Sequence, residues 1–271
     1  DHLMRVRYGD RHDCEKCGKN AHFYRVAKRR SYACEYCGAQ VYPTAGTPFD
    51  RTRTPLRDWF FVMFLFVTSR NGVAAKEVER QLGVTYKTAW RMCHEIRKYM
   101  AAVDGDDPIG GFGSTVEVDE TFIGGYERGA MGFAGKTAVL GMRERGGDVI
   151  TRVVPNRKRD TVQPIIAQHV QPHSVVHTDE WLGYSALANK INRYQHKTVN
   201  HAAGDYVCRV TGATVNGLEG FWAQLKRGIN GTHIHVSEKH LPKYLGEFEF
   251  RHNRRHVPYS MLDELMLAFR R

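Results

Sequence analysis

The chain has no long hydrophobic run. Its longest apolar stretch, built on Phe60 to Val67 (FFVMFLFV), is nine residues with Trp59 counted. A membrane-spanning helix needs about 20, so this stretch suits a buried helix and no membrane partner is expected. The first residues, DHLMRVRYGD, do not read as a secretory signal. Disulfide-style cysteine usage is missing as well. Four of the six cysteines fall in two tight pairs, which points to a metal site in a reducing compartment rather than to a cross-linked secreted fold. The front third is poor in acids. Residues 1–103 hold 19 Lys/Arg against 10 Asp/Glu, a net +9, and the remainder hold 21 against 19, a net +2. The whole chain carries +11 with a pI of about 9.4. A basic front attracts polyanions, whereas the nearly balanced remainder suits a soluble catalytic domain.

What is present is patterned. Cys14-Glu-Lys-Cys17 and Cys34-Glu-Tyr-Cys37 are CxxC pairs sixteen residues apart, each followed by a glycine. Glycine lets the backbone turn so that both sulfurs of a pair face one point. Four thiolates at this spacing make a closed tetrahedral zinc site, one structural Zn²⁺ per chain, with no ligand position open to substrate. Between the pairs, Lys28, Arg29 and Arg30 sit where a basic ribbon offers charge to phosphates; a solvated face is the alternative.

Thr44 to Pro55 reads as a turn-rich connection, and a buried helix is expected over Leu56 to Val67. A short amphipathic helix follows between Gly72 and Gly83, with Val73, Val78 and Leu82 inward. Thr85 caps a second, basic helix whose apolar stripe is Ala89, Met92, Ile96 and Tyr99. Two helices around a glycine turn form a helix-turn-helix pattern, with Tyr86, Lys87, Thr88 and Arg91 facing DNA. Asp104 to Ser114 is acidic and glycine-rich, as a domain boundary is.

Beyond it, Val116 to Gly125 (VEVDETFIGG) is an apolar strand with Asp119 at its middle. Burying that charge costs several kcal/mol unless a cation meets it. A strand hairpin is expected around Arg145 to Asp148, a helix over Asp160 to Val170, a strand over Ser174 to Thr178 and a helix over Trp181 to Asn192. A further strand over Tyr194 to Asn200 precedes the helical segment Asn216 to Ile229. Three strands, helix, strand, helix and strand, then long helices, describe an α/β sheet of ribonuclease-H type. The expected division is a zinc ribbon over 1–45, a helix-turn-helix DNA-binding domain over 46–103, a linker over 104–114 and the catalytic domain over 115–271.

Asp119, Asp179 at its strand end and Glu219 on a helix are three hard oxygen ligands from separate elements, suited to Mg²⁺ or Mn²⁺. Phosphodiester cleavage by two such ions ~4 Å apart needs this kind of convergence. Glu219 and Lys226, seven residues apart, share a helix face, and Asn216 lies one turn before Glu219. Lys226 is placed to hold a phosphate. Asp119 and Asp179 as paired structural acids, and Glu219 as a solvated one, are the plainer readings. Glu120 and Glu180 are expected as neighbours rather than ligands, since adjacent strand residues point to opposite faces. His177, His201, His233 and His235 are expected as polar or DNA-facing groups, Cys93 and Cys208 as core thiols, and Trp181 and Trp222 as packing. Arg251 to Arg255 (RHNRR) offers phosphate contacts or a solvated charge run.

CxxC…CxxC, the GTPF…W…helix-turn-helix run, VDETFIGG, HTDEWLGY and NGLEGFWAQLKRGINGTHIHVSEKHLPKYLGEFEFRHNRR together resemble insertion-sequence transposases that join a zinc ribbon to a DDE catalytic domain (the ISXO-like group). The resemblance spans nearly the whole chain. It implies a ribonuclease-H-like fold with Asp119, Asp179 and Glu219 binding two Mg²⁺ and Lys226 assisting. Asn216 competes with Glu219 for the third ligand place, and Glu219 is preferred for its spacing to Lys226. It further implies cleavage at transposon ends and strand transfer into target DNA, with double-stranded DNA carrying terminal inverted repeats as partner. A homodimer or larger assembly is implied, in a bacterial or archaeal cytoplasm at the nucleoid. A catalytically silent DNA-binding derivative and a structure-specific nuclease are the alternatives.

Overall fold

The computed structural model describes residues 1–124, 135–187, 193–200 and 207–269. Helix α1 (His2–Tyr8) leads into four short antiparallel strands, β1 (Arg11–Asp13), β2 (Asn20–Arg25), β3 (Tyr32–Cys34) and β4 (Gln40–Val41), paired in chain order. Met4, Tyr8, Ala21 and Phe23 pack with Cys14 and Cys34 in a core too small to stand alone.

Helices α2 (Leu56–Thr68), α3 (Ala75–Leu82) and α4 (Tyr86–Asp104) form the next layer. Their ends follow the sequence. Gly83 closes α3 in the left-handed conformation (φ 64°), and the Thr85 side chain accepts the Thr88 N–H to cap α4. Trp59, Met63 and Phe66 of α2 meet Val78 of α3 and Ala89, Met92 and Ile96 of α4 in one fully buried core. The chain returns to this core at its other end. Helix α8 (Met261–Leu267) inserts Met261 and Leu265, and Phe269 just beyond it stacks on Tyr99 at 4.8 Å. Residues 261–269 therefore share the core of the helical layer rather than that of the sheet, because their apolar side chains find no partner there.

The segment 104–114 is built into the fold rather than being a free connection. α4 runs to Asp104, and β5 (Ile109–Gly110) pairs in parallel with β9 (Val170–Gln171). A five-stranded sheet follows, in the order β11 (Tyr194–Val199), β10 (Ser174–Asp179), β6 (Thr115–Ile123), β7 (Thr137–Glu144), β8 (Val149–Val154). β6, β7 and β8 are antiparallel, while β10 and β11 run parallel to β6. The two-residue period of β6 separates two cores. Val116 and Val118 face a layer made with α5 (Arg159–His169), and Ile123 faces α6 (Asn216–Gly228) and α7 (Leu241–Asn253). The helix expected over 181–192 is, as far as it is described, a 3₁₀ segment, Leu182–Leu187, which contains the poor helix former Gly183; residues 188–192 and His201 lie outside the described residues.

The RHNRR block is half-buried rather than a solvated run. Arg251 pairs with Glu247, Arg254 with Asp104 and Glu264, and Asn253 holds both the N–H and the carbonyl of Val149. These side chains seal α7 against α4, α8 and β8, which is why they turn inward.

Candidate active site

β6 carries two carboxylates on the face toward α6. Glu117, 2 % exposed, accepts the Leu218 N–H through Oε2 at 2.8 Å and so fastens the first turn of α6. Arg143 Nη1 lies 3.5 Å from the same oxygen, and Arg145 Nη2 lies 3.6 Å from Oε1. A buried acid with two guanidinium partners and a helix N-terminus is well compensated. Sequence alone does not single out Glu117; its position two residues before Asp119 is the signal that it shares that face.

Asp119 stands opposite Gly141 of β7. The Trp222 ring lies over Gly141, where any Cβ would collide with it, and its Nε1–H donates to Asp119 Oδ2 at 3.1 Å. Trp222 is thus both packing and a polar contact. Burial raises the Asp119 carboxyl to about 6. The Glu120 backbone N–H and the Trp222 indole N–H lower it, and the charges of Asp179 and Glu219 raise it. Asp179 and Glu219 are thus each within electrostatic reach of Asp119.

Asp179 is the last residue of β10, and its Oδ1 accepts the Trp181 N–H at 3.0 Å. β10 pairs with β6 through His177↔Glu117; the same register carried on sets Asp179 level with Asp119 where the strands part. Glu219 sits in the first turn of α6, and Asn216 is its first residue; Asn216 and Lys226 are exposed. Glu120 faces the other layer, where burial first, then Asp119 and Asp179, raise its carboxyl to about 7. Of the histidines, His177 is buried between Arg145 and the Thr214 N–H, each 3.2 Å from its Nδ1, and its pKa is lowered by burial. His233 packs its ring against Tyr244 at 4.8 Å, and His235 is exposed.

The second centre is the ribbon. The Sγ atoms of Cys14, Cys17, Cys34 and Cys37 all lie within 4.8 Å of one another, and no other group of three such ligands among the described residues is drawn so tightly. Cys14 and Cys37 are 3.6 Å apart and Cys17 and Cys34 are 3.9 Å apart; a tetrahedron with metal–sulfur bonds of about 2.3 Å has edges of about 3.8 Å. Gly18 and Gly38 take φ of 68° and 69° and donate their N–H groups back to Cys14 and Cys34 at 2.8 and 3.0 Å. The Cys17 and Lys16 N–H groups pull the Cys14 thiol down to about 6. The donor set fits zinc.

The basic side chains expected at DNA are divided. Lys28, Arg29 and Arg30 lie on the exposed turn between β2 and β3, though Arg30 Nη1 also donates to the Thr52 carbonyl at 2.9 Å. Tyr86, Lys87 and Arg91 are exposed on α4, with Arg91 Nη2 donating to the Asp50 carbonyl at 3.1 Å. The Thr88 hydroxyl lies 3.0 Å from that of Thr85, within the helix cap. No helix among the described residues is long and apolar enough to cross a membrane.

Two regions of the chain match known domain families. Residues 110–253 match the model of the ISXO2-like transposase domain, and residues 1–40 match that of the transposase zinc-ribbon domain. An uncharacterised protein in transposable element ISH50 of Halobacterium salinarum is 25 % identical over 92 % of this chain and 88 % of its own length. An uncharacterised transposase-like protein of Haemophilus influenzae is 32 % identical over 44 % of this chain and 93 % of its own. With its sheet, its α6 segment and its cysteine quartet all inside matched regions, the chain belongs to the ISXO2-like transposase family and carries that family's type of zinc ribbon.

Proposed function

We propose that the chain is a DDE-type DNA transposase, which binds the terminal inverted repeats of an insertion sequence and catalyses strand cleavage and strand transfer into target DNA. The observation that supports this reading is that Asp179, from β10, and Glu219, from α6, both act electrostatically on the Asp119 carboxyl of β6. An antiparallel meander extended by two parallel strands supports a ribonuclease-H-like catalytic domain, and α3, the Gly83 turn and capped α4 support a helix-turn-helix.

Asp119, Asp179 and Glu219 would hold two Mg²⁺ or Mn²⁺. The ions, when bound, supply an activated water and neutralise charge on the phosphate. The chain's own part is positioning. Asp119 is fixed by Trp222 and by burial, and Asp179 by the Trp181 N–H. Lys226 and Asn216 stand on the exposed side of the helix that bears Glu219, where Lys226 meets a substrate phosphate. Structural zinc shapes the ribbon, and Lys28, Arg29, Arg30, Tyr86, Lys87, Thr88 and Arg91 grip DNA. Two transposon ends brought together require a dimer or larger assembly, working at the nucleoid of the cytoplasm.

The test incubates the zinc-loaded chain with a labelled duplex carrying the element's end, in Mg²⁺ or Mn²⁺, beside Asp119→Ala. Nicking and joining by wild type, abolished in the variant, is the expected result. Nicking without joining would make the protein a nuclease. Tight binding with no cleavage under either metal would make it a silent DNA-binding derivative.

A further inference from the structure

Trp222 does more than fill space between α6 and the sheet. Its ring lies against Gly141 of β7, the residue paired with Asp119, and its one polar atom donates to Asp119 Oδ2 at 3.1 Å. Trp222 is 4 % exposed, and the bond itself is part-buried. Three features have to coincide for it to form. β7 must carry no Cβ at position 141; α6 must be held at its first turn, which Glu117 does through the Leu218 N–H; and Asp119 must point toward α6, as the strand alternation sets.

We infer that Trp222 is a positioning residue, which fixes the rotation of the Asp119 carboxylate through Oδ2 and so sets how that carboxylate meets a divalent cation. This rests on the proposed reading of Asp119 as a metal ligand. A carboxylate free to rotate loses freedom on binding, whereas one already held by an indole N–H does not. Outer partners of ligating groups act in this way, and their loss typically costs about 10–100-fold in metal affinity. Gly141 belongs to the same device: a methyl group there pushes the indole, and its N–H, away from Asp119.

The test is Mn²⁺ binding to the full zinc-loaded chain, read as free Mn²⁺ by electron paramagnetic resonance and independent of catalysis. Asp119→Ala reports on the reading itself, and Trp222→Phe keeps a ring over Gly141 while removing the N–H. The expected result is binding by wild type, loss in Asp119→Ala, and an affinity reduced at least ~10-fold in Trp222→Phe, read well below the thermal midpoint of each protein so that folding does not enter. Gly141→Ala should weaken binding in the same direction. Wild-type affinity in Trp222→Phe, with Asp119→Ala still defective, would overturn the role of Trp222 alone. Equal Mn²⁺ binding by wild type and Asp119→Ala would overturn the metal-ligand reading and this inference with it.

Discussion

Arg97 of α4 and Glu247 of α7 meet at 2.6 Å with side-chain exposures of 4 % and 0 %. The Arg97 guanidinium also donates to the Val73 carbonyl, ahead of α3, and lies 4.1 Å from the Tyr244 ring centre. Arg251 takes the other Glu247 oxygen. Burial alone would raise the Glu247 carboxyl, but Arg251 and Arg97 hold it below its ordinary range. One charged cluster thus joins the helices expected at DNA to the helix that backs the sheet.

Removing one partner should be severe. Arg97→Met leaves a buried carboxylate short of a cation, and a loss of about 3–5 kcal/mol is expected. Urea unfolding of the zinc-loaded chain measures it. Lys98→Ala on the same helix, which breaks an exposed pair with Glu95, should cost less than ~1 kcal/mol. Equal effects of the two substitutions would mean that the buried cluster is not a stability element.

Glu249 should make stability depend on pH in the direction opposite to a salt-bridged acid. Its wholly buried carboxyl is raised by burial from about 4.5 to about 7, against the opposing Thr151 hydroxyl and the charge of Arg152, with Asp104 pushing it up further. Between those values the folded chain binds a proton that the unfolded chain has released. Its contribution is full below about pH 4.5 and is lost as pH rises through about 7. Glu249→Gln should gain on wild type as pH rises, by up to ~1.4 kcal/mol for each pH unit in that window. Thermal midpoints of the two proteins from pH 5 to 8, run in parallel, measure the difference; parallel curves would exclude it.

Zinc removal should act on the front of the chain first. The ribbon's own core is a few residues around Cys14 and Cys34, too little to stay folded without metal. A chelator, or Cys34→Ser, should release one zinc per chain and open residues 1–40 to protease. The sheet should stay resistant. Metal analysis with mass mapping of the fragments reports both, and an intact ribbon after complete zinc loss would refute the assignment.

What the sequence made readable was local. Strand alternation around Asp119, the Thr85 cap, the Gly83 turn and the CxxC spacing each depend on neighbours a few residues away, and each appears in the structure at its expected place. Asp119, Asp179 and Glu219 do lie on the strand, strand end and helix expected of them, because each element carried its own signal. What escaped depends on distant partners. Glu117 clamps a helix a hundred residues later, Arg97 waits for Glu247, and Arg251 and Arg254 turn inward to meet Glu247, Asp104 and Glu264. Trp222 read as packing because the glycine it covers, Gly141, lies on another strand.

The packing of Phe269 on Tyr99 and Phe49, with the Tyr99 hydroxyl on the Leu265 carbonyl, bears on the order in which the protein can be made. During synthesis the helices α2 to α4 emerge long before residues 261–269, and until those arrive their shared core has an open side. The helical layer is therefore finished last, although it is translated before the sheet. A newly made copy completes that layer only after the sheet bearing Asp119 has already left the ribosome.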